Sequence, residues 1–143
     1  MDMKPILLVE DNPDDVELTM MALEQSRISN EVVVVRDGVE ALDYLFGTGD
    51  FAGRDTSVMP QVILLDLNMP RMGGLEFLLR LRAADQTRLL PVVVLTTSNE
   101  DRDKIDSYKL GANSYVRKPV DFNQFVEAVQ QLGLYWMVLN KEA

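Results

Sequence analysis

The sequence predicts an α/β fold built on a parallel sheet, and three features carry that reading. Five short apolar runs lie near residues 5–9, 31–36, 61–66, 91–96 and 113–117. Segments of helical spacing separate them, the alternation expected of successive βαβ units. The runs Ile6-Leu7-Leu8-Val9 and Val62-Ile63-Leu64-Leu65 are also continuous in Val, Ile and Leu rather than alternating with polar residues, as in strands buried on both faces of a sheet. The chain, 1–143, suits one domain with one core.

The elements follow in order. The first run, Ile6-Leu7-Leu8-Val9, leads into Glu10-Asp11-Asn12-Pro13. Asn12 is a good helix cap and Pro13 fits the first helical position. Val16, Met20 and Leu23 then recur at helical spacing and predict a core-facing stripe. A second helix is expected from about Val39 to Phe46. Gly47, Gly49, Asp50, Gly53, Asp55 and Ser57 make the next stretch, to Pro60, a long surface loop. Its glycine spacing differs from that of a dinucleotide-binding turn, and no strand feeds directly into it. The third run, Val62-Ile63-Leu64-Leu65, is followed by Asp66-Leu67-Asn68-Met69-Pro70. A third helix opens after Gly73-Gly74 and carries Leu75, Leu78, Leu79 and Arg82 along one side. Residues 86–90 form a polar link to Pro91. Residues 99–110 are mostly charged, with Ile105, Tyr108 and Leu110 as anchors, which predicts one of the less stable elements.

A last helix, extended over about residues 121–140, has its core stripe in Phe122, Phe125, Val126, Val129 and Leu132. From Leu134 to Leu139 the chain is apolar around nearly its full circumference, and an exposed surface of that kind marks a partner. A tail folded back on its own domain is the alternative. A homodimer through the last helix and tail is the expectation, because a two-fold pair lets each tail cover the other's surface.

Composition removes several classes of function. There is no cysteine and no histidine, so disulfides, thiolate nucleophiles, imidazole ligands and Ser-His catalysis are excluded. A net charge of -9 argues against a nucleic-acid surface. No stretch approaches the roughly 18 apolar residues of a membrane span, and the first residues lack a signal-peptide pattern. A cytoplasmic location is the expectation.

The chemistry gathers at the carboxyl ends of the runs, where open α/β sheets bind ligands. Taken singly, Asp66 reads as a turn residue, Glu10 and Asp11 as acids favouring the first helix dipole, Thr96 as a turn hydroxyl and Lys118 as a solvated cation. Together they deliver three carboxylates, a hydroxyl and an ammonium to four strand ends. Carboxylates so placed repel one another unless a cation holds them, and an oxygen-lined site with few protein ligands suits Mg2+. Asp66 then reads as a nucleophile towards phosphorus, with the metal and Lys118 screening two anionic reactants and Thr96 bonding a phosphoryl oxygen.

Four stretches carry a resemblance: Leu7-Leu8-Val9-Glu10-Asp11-Asn12, Leu65-Asp66-Leu67-Asn68-Met69-Pro70-Arg71-Met72-Gly73-Gly74, Leu95-Thr96, and Tyr115-Val116-Arg117-Lys118-Pro119. With them the chain resembles the receiver domains of two-component response regulators over nearly its whole length. The resemblance implies a doubly wound, flavodoxin-like (βα)5 fold with strand order 2-1-3-4-5. It implies Asp66 as phosphoacceptor, Asp11 and Asp66 as direct Mg2+ ligands, Glu10 acting through metal-bound water, and the Asn68 backbone carbonyl on the metal. Thr96 and Lys118 would bind phosphoryl oxygens, Tyr115 would be the aromatic switch residue, and the Lys118-Pro119 peptide would be cis. The acidic pair is Glu-Asp where the family commonly has Asp-Asp, and Thr97 stands where a smaller residue is usual. The long loop before the third strand and the aromatic tail resemble the stand-alone regulators that partner bacterial phytochromes. That implies a sensor histidine kinase of this class as phosphoryl donor and a phosphorelay protein rather than an enzyme. The competing reading is an aspartyl-phosphate phosphatase of the haloacid-dehalogenase type. That chemistry generally needs a second Asp two residues after the nucleophile, where this chain has Asn68.

Overall fold

The computed structural model of the chain describes residues 4–25, 30–67, 69–96, 106 and 109–117, without the side chains of Ala22, Gln25, Thr96 and residues 114–117. The apolar runs form five parallel strands, β1 (Ile6–Val9), β2 (Val32–Val35), β3 (Val62–Leu65), β4 (Val92–Thr96) and β5 (Ser114–Arg117). They lie in the order β2-β1-β3-β4-β5. Each strand starts and ends within one residue of its apolar run. Val9 stands level with Val35 on one side and Leu65 on the other. Leu65 in turn stands level with Val94, and Thr96 with Arg117. Residues that follow β1 and β3 therefore emerge at the same height on one rim.

The period of two splits each strand between two cores. On one face Leu7, Val9, Ile63, Leu65, Val92 and Val94 pack with side chains of α2 (Gly38–Phe46) and α3 (Gly74–Ala83). On the other, Ile6, Leu8, Val62, Leu64, Val93 and Leu95 pack with Leu23 of α1 (Pro13–Gln25). Helices on both faces make the sheet doubly wound. Burial on both faces explains why the runs in β1 and β3 contain no polar residue.

Two helices turn a different face inward from the one the apolar spacing predicts. In α1, Val16 and Leu23 face the core as expected, but Met20 is 39% exposed and Thr19 is buried instead. Val16, Thr19 and Leu23 are separated by three and four residues, so they share one face. Burial of Thr19 is tolerated because its hydroxyl donates to the Asp15 carbonyl at 2.8 Å. In α3 the core face is Gly74, Phe77, Leu78 and Leu81, while Leu79 is 57% exposed. The expected set Leu75, Leu78, Leu79 and Arg82 has the same spacing turned by one residue, about 100° around the axis. The ring of Phe77 decides between them, since full burial of such a side chain stabilises by roughly 1.5–3 kcal/mol. Arg82 instead reaches the chain ahead of β4 and β5, donating to the carbonyls of Leu90 at 2.7 Å and Gly111 at 2.6 Å. Burial lowers the pKa of that guanidinium.

The starts of α1 and α2 are set by side chains. Asn12 Oδ1 accepts from the Asp14 amide at 2.9 Å, which makes it the cap of α1. Asp37 caps α2, its Oδ1 accepting from the Glu40 amide at 2.9 Å. The α2 helix ends at Gly47, which takes the left-handed conformation at φ 67°. The surface loop that follows is organised by Arg54. Its guanidinium stacks 4.0 Å over the Tyr44 ring and donates to the carbonyls of Tyr44 and Val58. No helix among the described residues is long and apolar enough to cross a membrane.

Asp37 also accepts from Arg71 Nε at 2.7 Å. Burial raises its carboxyl pKa, but the bonds from Arg71 and the Glu40 amide outweigh that and hold it below 3.8. A carboxyl depressed in the folded state contributes stability that is complete above its unfolded pKa and is lost as pH falls through the folded one. Asp37→Ala is therefore expected to destabilise the chain at neutral pH by about 1–2 kcal/mol, the usual loss of a helix cap. In urea denaturation, the gap to the natural chain should narrow below about pH 4. A gap that is constant down to pH 3 would contradict this account.

Candidate functional site

Glu10 follows β1 directly and Asp66 follows β3 directly, so the register of the two strands brings them together. The Asp66 amide donates to the Val9 carbonyl at 3.0 Å, and the Glu10 amide donates to the Val35 carbonyl at 2.9 Å. These bonds continue the ladder one step past the strands and hold both acids on the rim. Carboxylate oxygens of Glu10, Asp11 and Asp66 all lie within 4.8 Å of one another. Glu10 is 3% and Asp66 7% exposed, whereas Asp11 faces solvent. The Asn12 amide donates to Glu10 Oε2 at 3.3 Å, so the turn into α1 also steadies one acid.

Two unit charges 4.8 Å apart repel by about 3.5 kcal/mol at an effective dielectric of about 20. The donor set suits a divalent cation. It offers hard carboxylate oxygens only, with an open side at Asp11 for water or a ligand. Two oxygens on opposite sides of one ion lie about 4–5 Å apart at metal–oxygen distances of roughly 2.0–2.6 Å. The carboxylate oxygens of the cluster lie within that span.

The loop between β3 and α3 is held at both ends. Gly74 donates its amide to the Leu67 carbonyl at 3.0 Å, and a Cβ at Gly74 would sit 2.7 Å from the Asp66 carbonyl oxygen. Only glycine lets α3 start this close to the acid. At the far side Gly38 donates to the Met72 carbonyl at 3.1 Å, and Arg71 binds Asp37. The first turn of α2 thus grips the loop that leaves Asp66.

Of the residues the sequence singles out, Glu10, Asp11 and Asp66 come together at one point. Thr96 ends β4 on the same rim, and Tyr115 lies in β5 level with Val94; neither side chain is among those described. Asn68, Thr97, Lys118 and Pro119, the last helix over 121–140 and the tail lie outside the described residues. So do most of residues 99–110. Sequence reasoning missed Asp37 and Arg71. The pattern Asp37-Gly38-Val39-Glu40 was a legible cap signal, an acid followed three residues later by another ahead of apolar positions. Nothing local marked Arg71 as its partner.

Comparison with known proteins agrees with this geometry. Residues 6–130 match the family model described as response regulator receiver domain. The response regulator Rcp1 of Synechocystis sp. is 37% identical over 134 residues, which cover 94% of this chain and 89% of Rcp1. Among solved structures, the bacteriophytochrome response regulator RtBRR is 56% identical with a TM-score of 0.80, covering 92% of this chain and 78% of its own. The phosphorylated cyanobacterial phytochrome response regulator RcpA is 40% identical with a TM-score of 0.82, covering 94% of both chains. Rcp1 itself has been solved in a Mn2+-bound form, 36% identical with a TM-score of 0.81 and 94% coverage of both chains.

The crowding of like charge makes a direct test available. With chelator present, Asp11→Asn is expected to raise stability by about 1 kcal/mol, the Coulomb repulsion discounted for the exposure of Asp11. Divalent cation should then stabilise the natural chain more than the variant. An Asp11→Asn chain that is less stable in chelator would contradict the repulsion.

Proposed function

The chain belongs to the response regulator receiver family, and from that premise we propose that Asp66 is the phosphoacceptor of a Mg2+-dependent receiver. The observation that carries the reading is the convergence of Glu10, Asp11 and Asp66 at the carboxyl ends of adjacent strands. In the proposed reaction an Asp66 carboxylate oxygen forms a bond to phosphorus as the bond from phosphorus to the donor imidazole nitrogen breaks. The leaving imidazole keeps that electron pair. Asp11, Asp66 and the Asn68 backbone carbonyl would hold the metal, with Glu10 acting through metal-bound water. Mg2+, when bound, screens the incoming phosphoryl oxygens from the acids. Thr96 donates its hydroxyl to one phosphoryl oxygen, and Lys118 pairs with another as a compact charge. Tyr115 is the aromatic switch residue in this reading.

The donor in this reading is a sensor histidine kinase of the bacteriophytochrome class, supported by the similarity to RtBRR and RcpA. The chain then acts on no separate substrate; it carries a phosphoryl group and signals by conformation. A cytoplasmic location belongs to the same reading, because such a kinase draws its phosphoryl group from ATP. The phosphatase alternative gains no support from the comparisons.

With acetyl phosphate and Mg2+, Asp66→Asn is expected to abolish phosphoryl uptake, since the nucleophile has no substitute. Lys118→Ala should still be labelled but show a weakened change in amide hydrogen exchange on phosphorylation, because the ammonium pairs with charge that appears only after transfer. Full labelling of Asp66→Asn would reassign the nucleophile.

A homodimer through the last helix and tail completes the proposal, supported by the apolar stretch Leu134 to Leu139. Burying a pair such as Tyr135 and Trp136 contributes a few kcal/mol at about 25 cal/mol per Å2, comparable to what a moderate dimer needs after association entropy. Deletion of residues 133–143 is expected to give a monomer that still accepts phosphate. A full-length chain that sediments as a monomer, phosphorylated or not, would refute the dimer.

A further inference from the structure

We propose that the Asp37–Arg71 ion pair is a positioning device for the cation site, clasping the chain that leaves Asp66 against the first turn of α2. The inference rests on the phosphoacceptor reading and adds to it two residues that do not touch the ion.

Arg71 has φ 60°, the left-handed conformation, and is the non-glycine residue with positive φ among those described. L side chains rarely adopt it, and such a backbone persists where the surroundings over-determine it. Here the surroundings are specific. Arg71 Nε donates to Asp37 Oδ2 at 2.7 Å, while Asp37 Oδ1 is committed to the Glu40 amide at 2.9 Å. Asp37 is 3% exposed and lies on β2's side of the sheet, fixed by α2. One residue on, the Met72 carbonyl accepts from the Gly38 amide at 3.1 Å. A Cβ at Gly38 would meet the Met72 side chain at 2.7–2.9 Å, so the two segments touch with no room between them. At the loop's other anchor, Gly74 binds the Leu67 carbonyl. Between these anchors runs the chain that begins at Asp66 and includes Asn68. Releasing Arg71 leaves that chain held on this side by the Met72 contact alone, and the aim of the Asp66 carboxylate loosens with it.

Charge alone predicts the opposite effect. Arg71 is a cation, and removing a positive charge can only leave unchanged or strengthen the binding of a metal cation if the side chain acts through its field alone. A loss of affinity on removing Arg71 is therefore a signature of positioning. Groups bonded directly to metal ligands typically change metal affinity by roughly 10–100-fold, and a clasp one step further out belongs at the low end of that range.

The test is Mn2+ affinity of the full chain, read from free Mn2+ by electron paramagnetic resonance, with helicity followed by circular dichroism. Arg71→Asn removes the guanidinium while Asn tolerates the left-handed backbone. Asp37→Asn removes the carboxylate charge while keeping a good α2 cap. Each variant is expected to retain its fold and to bind Mn2+ about tenfold more weakly. The double variant should be no weaker than either single one, because both break one clasp. Arg71→Asn that binds Mn2+ as tightly as the natural chain, or more tightly, overturns the inference. A natural chain that binds no Mn2+ sinks the phosphoacceptor reading and this inference with it, whereas natural binding with unaffected variants overturns this inference alone.

Discussion

Repulsion among three carboxylates at the ends of two neighbouring strands is the constraint on which the rest of the rim depends. Glu10 and Asp66 are nearly buried, and Asp11 stands at their open side. Like charges brought this close favour a nearby positive charge, and an all-carboxylate oxygen set suits a divalent cation. Register makes the arrangement unavoidable. With Val9 level with Leu65, the next residue of each strand must emerge side by side. A slip of one residue would send every strand side chain to the opposite core. The apolar packing that stabilises the sheet therefore also fixes the geometry of the acids.

Around that fixed pair the structure is built of short, tightly anchored turns. The turn into α1 carries Asn12, which caps the helix with its side chain and binds Glu10 with its amide. The turn into α3 needs Gly74, because any Cβ there would collide with the Asp66 backbone. The turn into α2 carries Asp37, which serves its own helix and the neighbouring loop at once. Each of these turns ties a helix start, through backbone hydrogen bonds, to the chain around the acidic cluster. A phosphoryl group adding negative charge at Asp66 would act on this same set of anchors.

The parts of this design legible in the sequence are those set by burial on two faces. Strands such as Val62-Ile63-Leu64-Leu65 have no competing interpretation once flanked by turns, and their order of acids follows. Helix faces were less legible, because the apolar residues of α1 and α3 fit two rotations equally well by spacing. Thr19 is polar, yet its hydroxyl is satisfied within its own helix, and Phe77 stands in a row of leucines that fit the other rotation. The link from Asp37 to Arg71 spans 34 residues and depends on a left-handed backbone, so no local pattern could carry it. Membership of the receiver family, in contrast, follows from strand-end residues alone and agrees with the match over residues 6–130.

The central claim is that the clustered acids form a cation-dependent phosphoacceptor with Asp66 as its nucleophile. Mass spectrometry of the full chain after acetyl phosphate, with and without Mg2+, tests it most directly when borohydride reduction marks the acyl phosphate for peptide mapping. The account predicts one phosphoryl group per chain, located at Asp66, formed with Mg2+ and absent in chelator. Uptake that is independent of divalent cation, or a mark mapped to any other residue, would contradict it.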